Sequence, residues 1–338
     1  MFQTLNHQTH SHTRVRARSA SEGYLFLART YLICLCAVLL IVTGCKQQPP
    51  TTKPSNQQTS SAVYTTFYPT AYFAERIAGD HVKVVNPCPP DADPAFWMPD
   101  EQTITNYQNA TMIIINGASF EHWLAKVTLP EERIVDTTKP LADKFIVLEG
   151  AVSHSHGPGG AHTHEGIDGH TWLDPVNAMT QAEEIHRALI VSFSQHQYAF
   201  VQGYADLARD LEALDARLKA LAAKMSQTHL LCSHPAYNYL GRRYGWQLHN
   251  FHLDPEEVPD EATLKEIKDC LAKNAARYML WEAPPTAEVI DSLADLGLEH
   301  LVFSPAESLD ADQQKGGTDY LSIMQENIAR LEEAFGTE

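Results

Sequence analysis

The sequence predicts an α/β protein of two lobes, each a parallel sheet flanked by helices, joined by a long rigid α-helix. Three observations predict this fold. The 338 residues are 44% apolar, enough for two cores and too much for one small domain. From Ala62 onward, short β-branched and aromatic runs alternate with helical patterns, the rhythm of parallel strands joined by crossovers. Between the two halves of that rhythm, Leu207, Leu211, Leu214, Leu218, Leu221 and Met225 recur at spacings of four and three, a single apolar stripe on one helix.

The chain opens with Arg14, Arg16, Arg18 and Arg29, then an apolar run from Tyr31 to Val42, then Thr43, Gly44 and Cys45. Basic, apolar, small is the layout of an export signal. The apolar run is about a dozen residues where a membrane span needs roughly 20, so residues 1–44 are expected to be a signal peptide. Val42-Thr43-Gly44-Cys45 resembles the lipobox of bacterial lipoproteins. That resemblance implies cleavage before Cys45 and diacylation of its thiol, a lipid hold on the outer face of the cell membrane or in the periplasm. Residues 45–61, rich in Gln, Thr, Ser and Pro, are expected to be a disordered tether. An exported context permits a disulfide between Cys232 and Cys270, and two unpaired small core residues fit equally well.

The N-terminal lobe is expected over 62–196. Its strands are Ala62–Phe67, Val82–Asn86, Met112–Asn116, Arg133–Asp136 and Phe145–Leu148, with a helix at Thr70–Ala78. The linking helix, 197–225, covers Tyr198 to Met225 and would be roughly 40 Å long, a brace that limits lobe motion. Its stripe also fits a homodimeric coiled coil, but three heptads flanked by α/β lobes more often pack against their own lobes, and a monomer is expected. The C-terminal lobe, 226–338, has strands at Leu230–Ser233, Gln247–Phe251, Tyr278–Trp281 and His300–Phe303. Its helices are Asp260–Lys273, Thr286–Leu296 and Asp319–Ala334.

A formal charge of −17 repels nucleic acid and anionic headgroups and mildly concentrates cations. Phosphate-cradling glycine loops are absent from the sequence, which points away from a nucleotide cofactor.

The chemistry concentrates in residues 151–175, AVSHSHGPGGAHTHEGIDGHTWLDP. Imidazole is the commonest transition-metal ligand, and a Gly/Pro-rich stretch carrying His154, His156, His162 and His164 is no core element. The loop 151–169 is expected to be flexible and its histidines accessory, for low-affinity collection or sensing. His170 differs, because Gly169 before it and Thr171-Trp172-Leu173-Asp174-Pro175 after it make a rigid turn into a helix, which suits a pre-oriented ligand. His234 follows a strand at its carboxyl end, where open α/β sheets bind ligands.

With these residues in view, the mature chain resembles the cluster A-I solute-binding proteins of zinc or manganese ABC importers. The matching stretches are Thr65 to Pro69, Asn116 to Leu124, Gly169 to Pro175, Ser233-His234 and Thr318-Asp319-Tyr320. The resemblance implies a metal held in the cleft between lobes and delivery to a membrane permease with its ATPase. It carries His170 and His234 over as ligands. Two further family positions are not matched: Ala95 stands where a His is expected and Ser304 where a carboxylate is expected. Zinc prefers four ligands, so other groups must serve. Glu282, at the end of strand Tyr278–Trp281, is the first candidate, as ligand or as a carboxylate supporting one. Asp100 and Glu101 follow, as ligands or as charges favoured at a helix N-terminus. Asp254 and Glu256 are better read as surface charge. Trp97 and Trp281 either wall the cleft or pack in the core.

The reading is therefore an exported lipoprotein, not an enzyme, that binds Zn²⁺ through His170, His234 and Glu282, with Mn²⁺ the rival because oxygen ligands favour harder ions. A metal chaperone or adhesin on the same fold is the alternative. A zinc hydrolase is less favoured, since the sequence has no His-Glu-x-x-His helix.

Overall fold

Apolar runs and turn residues fall where the strands do. The computed structural model describes residues 60–336 apart from residues 91, 156–160 and 226, without the side chains of 60–61 and 149–165. Cys45, the proposed signal peptide and most of the tether therefore lie outside the described residues.

β1 (Ser60–Thr65), β2 (Lys83–Val85), β3 (Ala110–Ile115) and β4 (Ile134–Asp136) form one sheet in the order β2-β1-β3-β4, all parallel. Consecutive Met112, Ile113 and Ile114 are all buried, as expected of a central parallel strand covered on both faces. β5 (Val147–Ser155) and β6 (Ala161–Ile167) form a separate antiparallel ribbon. β7 (His229–Cys232), β8 (Gln247–Asn250), β9 (Ala276–Trp281) and β10 (Glu299–Val302) form the second parallel sheet, in the order β10-β9-β7-β8.

The ribbon corrects two expectations. Phe145–Leu148 does not contribute to a parallel sheet, because β5 starts at Val147 and pairs antiparallel with β6. The stretch expected to be an irregular loop is largely ribbon, with His154 in register with His162 and Val152 with His164. A short Gly/Pro-rich connection permits an antiparallel pair, whereas a parallel one needs a crossover of a dozen or more residues. His156 lies outside the described residues, as do the side chains of His154, His162 and His164.

The helices are α1 (Tyr68–Ala78), α2 (Glu101–Asn109), α3 (Pro175–Ser192), α4 (Gln197–Lys224), α5 (Asn238–Tyr244), α6 (Glu261–Leu271), α7 (Ala287–Leu293), α8 (Ala311–Gly316) and α9 (Tyr320–Phe335). Side-chain caps start many of them: Asp174 accepts from Val176 N ahead of α3, Asp260 from Thr263 N ahead of α6, and Asp319 from Ser322 N ahead of α9.

The apolar stripe of α4 is buried from Leu207 to Leu221, and Met225 just beyond the helix is buried with it. The helix packs on α1 and α3 beside the first sheet and on α5 and α9 beside the second. A single apolar core runs through it from Val63 in β1 to Tyr278 in β9. The stripe thus serves its own chain and is not left for a coiled-coil partner. Polar ties add to the core. Arg243 on α5 meets Asp215 on α4 at 2.8 Å and Asp174, the cap of α3, at 3.3 Å. The Tyr320 amide donates to the Tyr68 hydroxyl at 3.0 Å.

Cys232 and Cys270 are free thiols, so the disulfide the sequence permits between them does not form, and Cys232 is buried among apolar neighbours. Among the described residues no helix is long and apolar enough to cross a membrane.

Candidate metal centre

Loops leaving the carboxyl ends of both sheets converge on one cavity of about 650 Å³, the place where open α/β sheets gather ligand-binding groups. The first sheet's side supplies residues 92–96 after β2, and Ser119, Phe120 and His122 after β3. The second sheet supplies His234 after β7, Glu282 after β9, and Ser304, Pro305, Glu307 and Ser308 after β10. Gly169 and His170 come from the turn after the ribbon.

His170 is the most firmly held of these groups. Asp168 Oδ1 accepts from the His170 amide at 3.0 Å and lies 2.8 Å from ring Nδ1. This fixes the ring so that Nε2 faces the cavity, the carboxylate-backed arrangement that orients histidine ligands. Asp168 is anchored from the second half of the chain, where Asn238 Nδ2 donates to its Oδ2 at 2.9 Å and the Tyr239 hydroxyl to its carbonyl at 2.8 Å. The turn that follows is pinned the same way: Trp172 Nε1 donates to Pro305 O and the Tyr320 hydroxyl to Trp172 O, both at 2.7 Å. Gly169 is required here, because a Cβ would come within 3.0 Å of the Phe120 ring.

Glu307 Oε1 lies 3.3 Å from His170 Nε2. Two ligands bonded to one tetrahedral zinc at about 2.1 Å stand about 3.4 Å apart, so this pair already has the spacing of one edge of a zinc coordination shell. The His234 ring lies 5.5 Å from the His170 ring, inclined at 78°. Imidazoles sharing such an ion have centroids roughly 5 Å apart. Among the described residues no three His, Cys, Asp or Glu side chains close on one point as a finished cage. The donors surround a space without collapsing into it.

The electrostatics are those of a buried ion pair. Burial opposes charge on His170, but hydrogen bonds with Asp168 and Glu307 outweigh it and lift its pKa to about 10. Glu282 is pushed up to about 8 by burial and then by the charge of Glu307. Near neutral pH the site therefore holds a protonated His170 and a protonated Glu282.

Behind the cavity, Glu121 secures the loop after β3. Its buried carboxylate accepts from Thr66 Oγ1 at 2.5 Å, the Asn116 amide at 2.6 Å and the Gly117 amide at 3.1 Å. Burial moves its pKa up to about 7 against these hydrogen bonds. The loop needs the support, because Gly117, Ala118 and Ser119 all have positive φ, a strained conformation for the two residues with side chains.

Over residues 63–334 the chain matches the family described as zinc-uptake complex component A, periplasmic. This chain belongs to that family. Among its curated relatives are the zinc-binding lipoprotein AdcA of Streptococcus pneumoniae and the high-affinity zinc uptake system protein ZnuA of Bacillus subtilis. AdcA is 28% identical over 89% of this chain and 60% of the relative, and ZnuA 26% identical over 90% and 96%. The chain thus spans about 60% of the length of AdcA. The metal-dependent lipoprotein YcdH from Bacillus subtilis shares the fold, with a TM-score of 0.70 at 24% identity over 80% of this chain and 98% of that one.

Set in this zinc-uptake family, the expected residues divide cleanly. His170, His234 and Glu282 all line the cavity. Ala95 lines it too, without a donor. Ser304 reaches it, but its amide is bonded to Asn327 Oδ1 at 3.0 Å, and Asn327 in turn donates to its carbonyl at 2.7 Å. A carboxylate does reach the cavity three residues on, at Glu307, which the sequence reading passed over. Asp100 and Glu101 do not line the cavity. Asp100 caps α2, its carboxylate accepting from Thr103 N at 2.7 Å, and that bond holds its pKa down. Glu101 is exposed in the first helical turn, where the dipole favours acid. Glu256 reaches the cavity while exposed. Trp97 packs against Trp123, and Trp281 is fully buried with its Nε1 donating to His300, so both tryptophans serve packing.

Proposed function

We propose that this protein captures Zn²⁺ in the cavity between its two sheets and hands it to an ABC importer's permease, while Cys45 carries the lipid that holds it outside the cell membrane. The observation that carries the reading is the His170–Glu307 pair, fixed from behind by Asp168 at the spacing of a zinc coordination edge. His170 Nε2, His234 and Glu307 are the proposed donors. Glu282 stands beside them as a further ligand or as a proton-bearing neighbour. On entering, Zn²⁺ displaces the proton from His170 and takes its place against Glu307, since imidazole coordinates only when neutral. The names of the curated relatives support zinc as the cargo.

The carboxyl groups of Glu282 and Glu307 beside His170 favour a second cargo, Mn²⁺, because oxygen donors suit the harder ion. Calorimetric titration of the purified protein with each metal separates the two readings. The zinc reading expects tight Zn²⁺ binding that falls in both His170→Ala and His234→Ala, with weaker Mn²⁺ binding. Unchanged affinity in both variants would remove this site from consideration. The segment 151–169, with His154, His156, His162 and His164, is proposed to collect metal at low affinity, and its deletion should leave the tight titration step intact. The division into lobes at 62–196 and 226–338 around the helix 197–225 belongs to the same proposal.

A further inference from the structure

The proposed site, as described, has three donors from the second half of the fold and the turn at His170, and none from the loops after β2 and β3. Zinc favours four ligands. Ala95, on the wall formed by those loops, has only a methyl group to offer.

His122 is fixed immediately beside Ala95. Its amide donates to the Ala95 carbonyl at 3.1 Å, and its ring lies flat on Phe96, with centroids 4.5 Å apart and 17° between planes. It lines the same cavity as His170, His234 and Glu307. Its chain neighbours are immobilised: Glu121 is buried and bonded to two backbone amides and Thr66, and Trp123 is buried on the other side. The ring itself has no hydrogen-bond partner among the described residues, and the residue is exposed. An aromatic shelf is a resting place that an imidazole leaves by rotating about two side-chain bonds, and no hydrogen bond must break first.

We infer that His122 is the fourth donor to the captured metal, supplying from the Ala95 wall the imidazole that position 95 lacks. The inference rests on the proposed site of His170, His234 and Glu307. In the metal-free protein His122 lies stacked on Phe96, and in the loaded protein it leaves the stack and closes the coordination shell. It also raises the nitrogen content of the shell to three, which favours zinc over manganese.

The test uses Zn²⁺ affinity by chelator competition and Co²⁺ as a spectroscopic probe, on the purified wild type, His122→Ala, His170→Ala and the double variant His122→Ala/Ala95→His. The expected result is a loss of at least about a hundredfold in Zn²⁺ affinity for His122→Ala, because losing a direct donor costs no less than the roughly 10- to 100-fold of disturbing a group that only supports one. The Co²⁺ spectrum should change as water replaces an imidazole. Thermal stability of the metal-free protein should stay unchanged, because the ring is exposed. Ala95→His should restore both affinity and spectrum in the double variant, since the two positions are hydrogen-bonded neighbours. Unchanged affinity and spectrum in His122→Ala, with affinity lost in His170→Ala, would overturn this inference and leave the proposed site standing. Unchanged affinity in His170→Ala would overturn the site itself.

Discussion

Zinc affinity should rise with pH, and the slope should count the protons that the ion displaces. The metal-free site holds His170 between Asp168 at 2.8 Å and Glu307 at 3.3 Å, with its pKa lifted to about 10 by those hydrogen bonds against the cost of burial. Glu282, raised to about 8 by burial and Glu307, holds a second proton. If of these two groups only His170 gives up its proton, one proton leaves, and affinity should rise about tenfold per pH unit from pH 6 to 9. If Glu282 ligates as a carboxylate, two leave below pH 8, and the rise between pH 6 and 8 becomes about ten-thousandfold instead of about a hundredfold. Above pH 8 both cases fall to one proton. The stability of the metal-free protein runs the other way. A group whose folded pKa is raised stabilises the fold fully below its unfolded pKa and loses that contribution as pH rises through the folded value. For His170 that window runs from pH 6.5 to about 10. Glu282 adds a loss of the same sign between pH 4.5 and about 8. Chelator competition at half-unit pH intervals gives the slope, and calorimetry in buffers of different ionisation enthalpy counts released protons directly. A flat affinity between pH 7 and 9, with no buffer-dependent heat, would refute the protonated pair.

Three mutational outcomes follow from the same geometry. Asp168→Asn should weaken Zn²⁺ binding by about 10- to 100-fold and move the onset of proton release to lower pH, since the principal support of the His170 charge is removed; competition titrations at two pH values check both. Glu121→Ala should destabilise the protein by about 3 to 5 kcal/mol in urea unfolding, because two backbone amides and Thr66 lose their common acceptor inside the core. Gly117→Ala should also be poorly tolerated, seen as a fall in melting temperature. Its Cβ would stand 2.0 Å from Asp136 Oδ1, at a φ of +87° that side chains resist.

Most of the fold was legible because each sheet is built from short apolar runs followed by capped helices. α4, expected from Tyr198 to Met225, spans Gln197 to Lys224. The ribbon escaped because pairing partners are not written in a strand's own composition: Phe145–Leu148 reads like its parallel counterparts. Of the side chains lining the cavity, His170 and His234 were legible because a strand end or a rigid turn fixes where a side chain must point. Glu307 was not, because expectation rested on the residue right after β10. There Pro305 and then Ala306, at a φ of 57°, turn the chain so that the residue at 307 comes back to the cavity. The signal was present as an acidic residue within a tight Ser304-Pro305-Ala306 turn. His122 was hidden differently, since its relation to Ala95 is a contact between loops following different strands. Asp100 misled because a capping carboxylate and a ligating one look alike in sequence.

The apolar core that runs through α4 from β1 to β9 bears on how, under the proposed function, an importer would tell a loaded carrier from an empty one. Two lobes welded through shared packing cannot announce their cargo by swinging shut. The message has to be written in the rim itself, in which loops are ordered and which charges are neutralised around the mouth of the cavity. A docking partner would then read texture and charge, not shape.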